Sequence, residues 1–143
     1  VLGQPEKKVL THFLKKDTDS NTVQVVTASN DQKLKKAILS LEPLRTGVVG
    51  SHPLSLCKVV LKTGRSHQIR AQLAFEGCPI LGDLKYTGLY ARQFEAAQRS
   101  LENRLKVEHR LALHAAELSF PHPMSGEVLT FSEPLPQELE LLV

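Results

Sequence analysis

Alternating apolar and polar positions near the start of the chain predict a β-hairpin. Val9 to Lys16 alternates loosely and is predicted to form a strand, and the valine-rich stretch Thr22 to Ala28 is predicted to be the returning strand. The residues Lys15 to Asn21 are polar and favour a turn between the two strands. The first structural unit of the chain is therefore expected to be a strand–turn–strand pair.

Two further strands are predicted in the middle of the chain. Ser29 to Lys36 is a polar connection with three lysines, after which Ala37 to Leu41 alternates as a strand does. Thr46 to Pro53 contains two glycines and a proline and is predicted to be a loop. Ser55 to Leu61 is apolar and β-branched, which predicts a buried strand.

The spacing of apolar residues changes to that of a helix after Gly64. Ser66 to Glu76 is predicted to be helical, with Ser66 as the N-cap and Gly77 as the stop signal. Ile69 and Leu73 lie four positions apart, as residues on one helical face should.

The last part of the chain adds one helix and two strands. Ala91 to Lys106 is polar at most positions and is predicted to be a helix inserted on the surface. Leu111 to Phe120 and Glu127 to Phe131 are predicted strands, and Pro136 to Val143 is a tail with room for one helical turn. With about six strands and two helices, the fold class expected is α+β: a mostly antiparallel or mixed sheet with helices packed on it.

Composition narrows the class of protein only a little. The chain has 143 residues, enough for one domain, and 41% of them are hydrophobic. No apolar run approaches the length of roughly 18 residues needed to cross a bilayer, and no signal peptide is visible. The net charge of +3 and the pI of about 9.0 are compatible with a nucleic-acid partner but do not require one.

Two features bear on the compartment and on the origin of the chain. Cys57 and Cys78 are isolated, which predicts reduced thiols in a cytosol-like compartment, or in an organelle of a eukaryote. The chain begins with Val1, and its only methionine is Met124. We therefore expect it to be a processed protein or a piece of a longer one.

The segment from Lys62 to Arg70 contains the candidate chemistry. A strand ends, a glycine turns the chain, and a helix begins with Arg65, His67 and Arg70 around its first turns. The start of a helix favours anions because its N–H groups are free. Arg70 shares a helical face with two alanines, Ala71 and Ala74, whose small side chains would leave room for a ligand. The alternative is a surface helix with two solvated arginines.

Residues 63–70, TGRSHQIR, resemble the TGR(S/T)HQ(I/L)R signature of RluA-type RNA pseudouridine synthases. Residues 77–86, GCPILGDLKY, are similar to the GxPIxGDxxY continuation in that family. RLALHA at 110–115 and FPHP at 120–123 follow in the family's order. The resemblance covers residues 55–136 strongly, as the signature-bearing core. Residues 1–54 fit it more weakly, as an N-terminal hairpin and loop region.

The resemblance implies an enzyme that isomerises uridine to pseudouridine in structured ribosomal or transfer RNA, without cofactor or metal. An aspartate acts on the nucleotide, and the base is detached, turned and rejoined through carbon. The resemblance places Arg70 at the position of the arginine that pairs with this aspartate. It makes Leu113 the apolar residue lining the pocket. The candidates for RNA contacts or for scaffolding the pocket are Arg65, His67, Gln68, Lys85 and Tyr86.

The sequence departs from the family where the catalytic aspartate is expected. The family's HRLD block lies upstream of the signature and is absent here. The string His109-Arg110-Leu111 comes after the signature and is followed by Ala112. The family's upstream tyrosine motif, which stacks on the target base, is also absent. The chain is therefore expected to be the C-terminal portion of a catalytic domain whose N-terminal half is missing, or a degenerate homologue.

The missing half has two expected consequences, and two rival functions are to be weighed against the enzyme. The chain alone is expected to make no pseudouridine, and the missing half would expose a sheet edge through which copies could self-associate. A non-catalytic RNA-binding fragment is the main rival. A metal-dependent hydrolase is disfavoured because the six histidines show no HxxxH or HExxH pattern. Which RNA and which uridine are modified cannot be read from these residues.

Overall fold

The computed structural model of the chain describes residues 1–27, 34–49, 51–86, 95, 99 and 111–143. Four antiparallel strands form one sheet in the order β2-β1-β3-β4. Their bounds are Lys8–Asp17 for β1, Thr22–Val26 for β2, Lys35–Val49 for β3 and His52–Leu61 for β4. β5 at Glu117–Pro121 and β6 at Val128–Ser132 form a separate two-stranded sheet. Helix α1 spans Gln68–Phe75, and α2 is a single turn at Gln137–Glu140.

The predicted first hairpin is confirmed as β1 and β2. Asp17 pairs with Thr22 at its closed end, and the Asp17 carboxylate accepts the backbone N–H groups of Asp19 and Ser20. Such side-chain bonds are how an aspartate closes a turn. Asn21 follows with a φ of 48°, a left-handed conformation that asparagine tolerates.

The predicted loop from Thr46 to Pro53 is wrong, because β3 and β4 continue through it as one long hairpin. Val49 pairs with His52, so that only positions 50 and 51 remain to turn the chain. The register shifts between Pro43 and Arg45, where a bulge lets the strand continue. Gly47 lies within β3, where a Cβ atom would come within 2.7 Å of the backbone of the C-terminal tail. The glycine thus marks a close approach inside the strand.

Helix α1 is shorter at its start than the sequence predicts. His67, in a left-handed conformation, occupies the N-cap position that was expected for Ser66. The predicted end is confirmed: Gly77 has a φ of 76°, its N–H donates to Ala74, and the N–H of Cys78 donates to Leu73. These two bonds are those of a Schellman motif, which satisfies the last carbonyls of a helix.

The predicted last strand and the final helical turn are confirmed as β6 and α2. The predicted strand from Leu111 to Phe120 is largely wrong, because residues 111–116 are irregular and β5 begins only at Glu117. Within the irregular stretch the N–H of Ala112 donates to Leu81. The predicted helix 91–106 lies outside the described residues, apart from Glu95 and Arg99, which are both helical.

One face of the four-stranded sheet forms the core of the fold. Leu10, Leu39 and Leu41 on this face pack against Leu73 of α1 and Ile80 of the segment after it. Val9 and Val60 on the opposite face are exposed. The class is α+β, as the sequence predicts. Over the described residues, only one face of the four-stranded sheet is covered.

A series of polar side-chain contacts inside the helix–sheet interface connects α1 to β1. The amide nitrogen of Gln72 is 3.0 Å from Nδ1 of His12, and Nε2 of His12 is 3.3 Å from a carboxylate oxygen of Glu76. Lys8 pairs with the other oxygen of Glu76. Since Gln72 and His12 are buried, these contacts fix the rotation of the helix about its axis relative to the sheet.

Gly47→Ala is predicted to lower the free energy of unfolding by about 1–3 kcal/mol, as overpacking typically does. The new Cβ would lie 2.7 Å from the carbonyl oxygen of Leu142 and from Cα of Val143, so the tail must move. Gly64→Ala is the matched control, because nothing lies within 4 Å of a Cβ atom there. Urea denaturation of both variants checks this, and equal losses of stability would contradict the close approach of the tail to β3.

Candidate active site

The turn before α1 is organised around Gln68. Its side-chain oxygen accepts the hydroxyl of Thr63 at 2.9 Å and the backbone N–H of Arg65 at 3.0 Å. Its side-chain nitrogen donates to the carbonyl of Ile38 at 3.1 Å. Gln68 is buried, so its amide is used inside the protein. These bonds join the turn before α1 to β3.

His67 has the left-handed backbone at the start of α1, with φ 50° and ψ 22°. Its Nδ1 lies 2.7 Å from the hydroxyl of Tyr86, and the two rings meet edge to face with centroids 5.6 Å apart. Desolvation of the ring, with the nearby charge of Arg70 as the next cause, lowers the pKa of His67. The imidazole is therefore neutral at physiological pH.

Arg70 is held by a carboxylate on the segment that follows the helix. Its Nε and Nη2 atoms donate to the two oxygens of Asp83, each at 2.7 Å. The Asp83 side chain has no exposed surface, whereas 22% of the Arg70 side chain is exposed. The hydrogen bond to Asp83 raises the pKa of Arg70 further above its already high value. The pair is thus a buried carboxylate and a permanently charged guanidinium that reaches solvent.

Tyr86 connects Arg70, His67 and the edge strand of the sheet. The guanidinium carbon of Arg70 lies 4.9 Å from the centre of the Tyr86 ring. The Tyr86 oxygen accepts the backbone N–H of Val23 in β2 at 2.9 Å. The same hydroxyl lies 2.7 Å from Nδ1 of His67, so Tyr86 bridges the histidine and the strand.

A cavity of about 300 Å³ lies between α1 and β2, beside this cluster. Ala71 and Ala74 line it, as expected of the two alanines that share a helical face with Arg70. The remaining lining residues come from β2, from the end of α1 and from the segment after Asp83: Thr22, Val23, Val25, Phe75, Lys85 and Tyr86. Its wall is mostly apolar, and Lys85 contributes an ammonium group.

Among the described residues, the other two predicted site residues, Arg65 and Leu113, form no hydrogen bond with this cluster. Arg65 is exposed in the turn before α1, where its Nε donates to the carbonyl of Lys36 at 3.1 Å. Leu113 is 40% exposed and belongs to the irregular segment before β5. The structure therefore brings Arg70 and His67 into contact with Tyr86, which lines the cavity together with Lys85, and it holds Arg65 and Gln68 in the adjoining turn.

Asp83 was missed as the partner of Arg70. The sequence places it in the family block at 77–86 but gives the carboxylate no partner. A signal was present, since Asp83 follows the apolar run Pro79 to Leu81 and a glycine. A carboxylate in such a segment is buried only when it is paired, and Arg70 is the nearest signature residue able to chelate it.

No three or more His, Cys, Asp or Glu side chains in the described part of the chain lie close enough together to bind a metal ion. None of the helices placed by the structure has the length and apolar character to cross a bilayer.

Comparison with known proteins gives consistent matches. A sequence model of the RNA pseudouridylate synthase family matches residues 4–75. An uncharacterized RNA pseudouridine synthase of Chlorobaculum parvum is 45% identical over 91 residues, which cover 62% of this chain and 28% of that protein. The ribosomal large subunit pseudouridine synthase D of Vibrio cholerae is 34% identical over 117 residues, covering 73% of this chain and 34% of its own length.

A solved structure supports the same fold. Human RNA pseudouridylate synthase domain containing 1 superimposes with a TM-score of 0.68 at 23% identity, over 92% of this chain and 49% of that one. The chain thus spans about a third of the length of these two curated relatives and about half of the solved chain. Because the family match extends over half of its residues and includes the signature through Arg70, the chain belongs to the RNA pseudouridylate synthase family, as its RluA-type motifs indicate.

Proposed function

We propose that this chain forms the arginine-bearing side of an RNA pseudouridine synthase active site, which converts uridine to pseudouridine in structured ribosomal or transfer RNA. The reaction would take place in the cytoplasm or, in a eukaryote, in an organelle. The observation that carries the proposal is the position of Arg70. Its guanidinium is fixed by a buried carboxylate, is partly open to solvent and packs on the ring of Tyr86, which also lines the cavity.

The catalytic carboxylate of this site would come from a segment that the chain does not contain. The HRLD block is absent from the sequence, and the carboxylate that holds Arg70 here is the buried Asp83. A guanidinium orients a carboxylate through paired charge-assisted hydrogen bonds and keeps it ionised. Arg70 would do this for the aspartate that acts on the target nucleotide.

The cavity supports a substrate that has left the base stack. Enzymes that modify a base inside structured RNA must extrude the nucleotide into a pocket. The apolar wall formed by Val23, Ala71 and Ala74 suits the face of a base. Lys85 and the exposed Arg65 are proposed to contact phosphates, while Leu113 is proposed to line the pocket on its other side.

Exposed apolar residues support a missing part of the same domain. In the β5–β6 hairpin Leu118 pairs with Phe131 across the strands, and Phe120 stacks on Phe131 with ring centroids 5.9 Å apart. These three residues are all exposed, as is Val128. Large side chains on a two-stranded sheet normally require cover. The N-terminal half of the catalytic domain would provide it in the assembled enzyme.

A non-catalytic RNA-binding fragment, or a degenerate homologue, is the second candidate function. It is favoured by one observation: among the described residues, the side-chain carboxylate that bonds to Arg70 is fully buried and cannot act on a substrate. Under this alternative the same cationic groups bind RNA, but no segment completes the catalytic pair. The two candidates differ in whether pseudouridine appears once an upstream half is supplied.

The first prediction concerns activity. With tritiated ribosomal or transfer RNA, the chain alone is expected to release no tritium, because it has no catalytic aspartate. The chain mixed with, or fused behind, the N-terminal half of a relative's catalytic domain is expected to release it. Arg70→Lys should then reduce the rate about a hundredfold, because an ammonium cannot chelate the carboxylate.

The control for this experiment is Arg45→Lys, which alters an exposed arginine paired at 3.7 Å with Glu140 away from the site. It should leave the rate within about twofold of the parent, as exposed ion pairs contribute little. Tritium release by the chain alone would refute the proposed division of the active site. An inactive assembly that still binds RNA would favour the non-catalytic alternative.

The second prediction concerns self-association of the isolated chain. Sedimentation velocity at increasing concentration is expected to show dimers or larger species, because the β5–β6 hairpin exposes apolar side chains on strands with free edges over the described residues. Replacing the cross-strand pair, Leu118→Ser with Phe131→Ser, should shift the distribution towards monomer. Met124→Ser, at the exposed tip of the same hairpin, is the control and should not. A monomeric parent chain at high concentration would argue against exposed edges as an association surface.

A further inference from the structure

We propose that Asp83 is a positioning residue for the reaction: it holds Arg70 by one edge of the guanidinium and leaves the other edge, which has no hydrogen-bond partner among the described residues, for the catalytic carboxylate. This inference rests on the proposed function and adds a residue to it. Arg70 would then bridge two carboxylates, one buried and permanent, the other supplied by the rest of the domain.

The N–H groups of Arg70 that Asp83 accepts determine which edge of the guanidinium is available to a second carboxylate. A guanidinium carries five N–H groups in a fixed plane. Asp83 takes one on Nε and one on Nη2, each at 2.7 Å, which is the side-on arrangement of a chelated carboxylate. The end-on edge, formed by Nη1 and the second hydrogen of Nη2, can chelate another carboxylate in the same plane.

Asp83 is itself immobilised by its surroundings. Its Oδ1 also accepts the backbone N–H groups of Lys85 at 3.1 Å and Tyr86 at 3.2 Å, and its own N–H donates to Ile80 at 3.1 Å. The Tyr86 ring packs on the guanidinium of Arg70. Arg70 is therefore constrained on one edge and one face, so a carboxylate that approaches the open edge meets a donor pair already in place.

The same geometry argues against Asp83 as a placeholder that the catalytic aspartate must displace. Displacement would break two charge-assisted bonds to Arg70 and leave the Asp83 carboxylate, which has no exposed surface, without its cation. Leaving a buried charge without its partner is strongly unfavourable. Approach along the open edge breaks no bond that the structure shows.

The negative charge of Asp83 also affects the ionisation of the second carboxylate. Arg70 and Asp83 together are neutral, so an incoming aspartate is next to a compensated pair instead of an unpaired cation. The other groups around the site are neutral His67, the phenol of Tyr86 and the ammonium of Lys85. Removing the negative charge of Asp83 would stabilise the ionised form of the incoming aspartate and move its titration to lower pH.

The first experiment uses the chain as it is, labelled with ¹⁵N. The Nε–H of Arg70 is expected to exchange with solvent slowly, and Asp83→Asn should accelerate this exchange on the order of tenfold or more, because an amide cannot chelate both donors. Asparagine retains the oxygen that accepts the N–H groups of Lys85 and Tyr86, and the backbone amide spectrum checks that the variant folds. Asp17→Asn is the control, since Asp17 closes a turn in the same way without an arginine.

A titration of the unaltered chain with acetate provides a measurement that does not depend on the variant. Acetate should shift the Nη signals of Arg70 and leave its Nε signal in place. Loss of the slow Nε–H exchange on adding acetate would mean that Asp83 is displaced, and would overturn the inference. Unprotected Nε–H in the unaltered chain would overturn it as well.

The second experiment measures pseudouridine formation by the chain assembled with an N-terminal half. Asp83→Asn should lower kcat about ten- to a hundredfold with a much smaller change in KM, and the acid limb of the pH profile should move to lower pH. A variant that matches or exceeds the parent rate would identify Asp83 as a placeholder and overturn the inference. An inactive parent assembly would overturn the proposed function, whereas the exchange of the Arg70 Nε–H reports the hold of Asp83 independently.

Discussion

The pairing of Asp83 with Arg70 is the constraint on which the rest of the site depends. A carboxylate with no exposed surface is tolerated only where a cation and further donors satisfy it, and here a guanidinium and two backbone amides do so. The pair joins α1 to the segment that follows it. Tyr86 comes three residues after Asp83 and continues the connection to His67 and to β2. One buried charge thereby aligns a helix, a turn and a sheet edge around the cavity.

The sheet explains why this alignment holds. β1 and β3 bury their leucines against α1 and the segment that follows it, and the polar chain from Gln72 to His12 sets the rotation of the helix. With that rotation fixed, Arg70 meets Asp83 and Tyr86, while the small side chains of Ala71 and Ala74 line the cavity. The position of Arg70 thus depends on packing several residues away from it.

Two surfaces of the protein are suited to contact a further part of the domain. One is electrostatic: over the described residues, one edge of the Arg70 guanidinium has no hydrogen-bond partner, while the other edge is bonded to Asp83. The other is apolar, the β5–β6 hairpin with Leu118, Phe120 and Phe131 exposed. Both are accounted for if a further part of the domain supplies a carboxylate and an apolar cover. The match to only part of each related protein agrees with that interpretation.

The sequence by itself determined the local units and the family. Alternation predicted β1 and β2, Gly77 predicted the end of α1, and the linked motifs indicated the RluA type because their order and spacing are hard to match by accident. Two strand boundaries failed for physical reasons. Gly47 and Pro53 suggested a loop where long-range pairing extends the strands, and the strand expected from Leu111 begins only at Glu117.

Only the tertiary structure decided which groups meet. Asp83 lies thirteen residues from Arg70, and nothing in the spacing says that the chain after α1 folds back to place its carboxylate on the guanidinium. The roles of Gln68 and Tyr86 were equally hidden, because their partners Ile38 and Val23 lie on strands distant in sequence. Residue types are fixed by the sequence, but the pairing of a buried charge is settled by whichever donors the packed chain brings within hydrogen-bond distance.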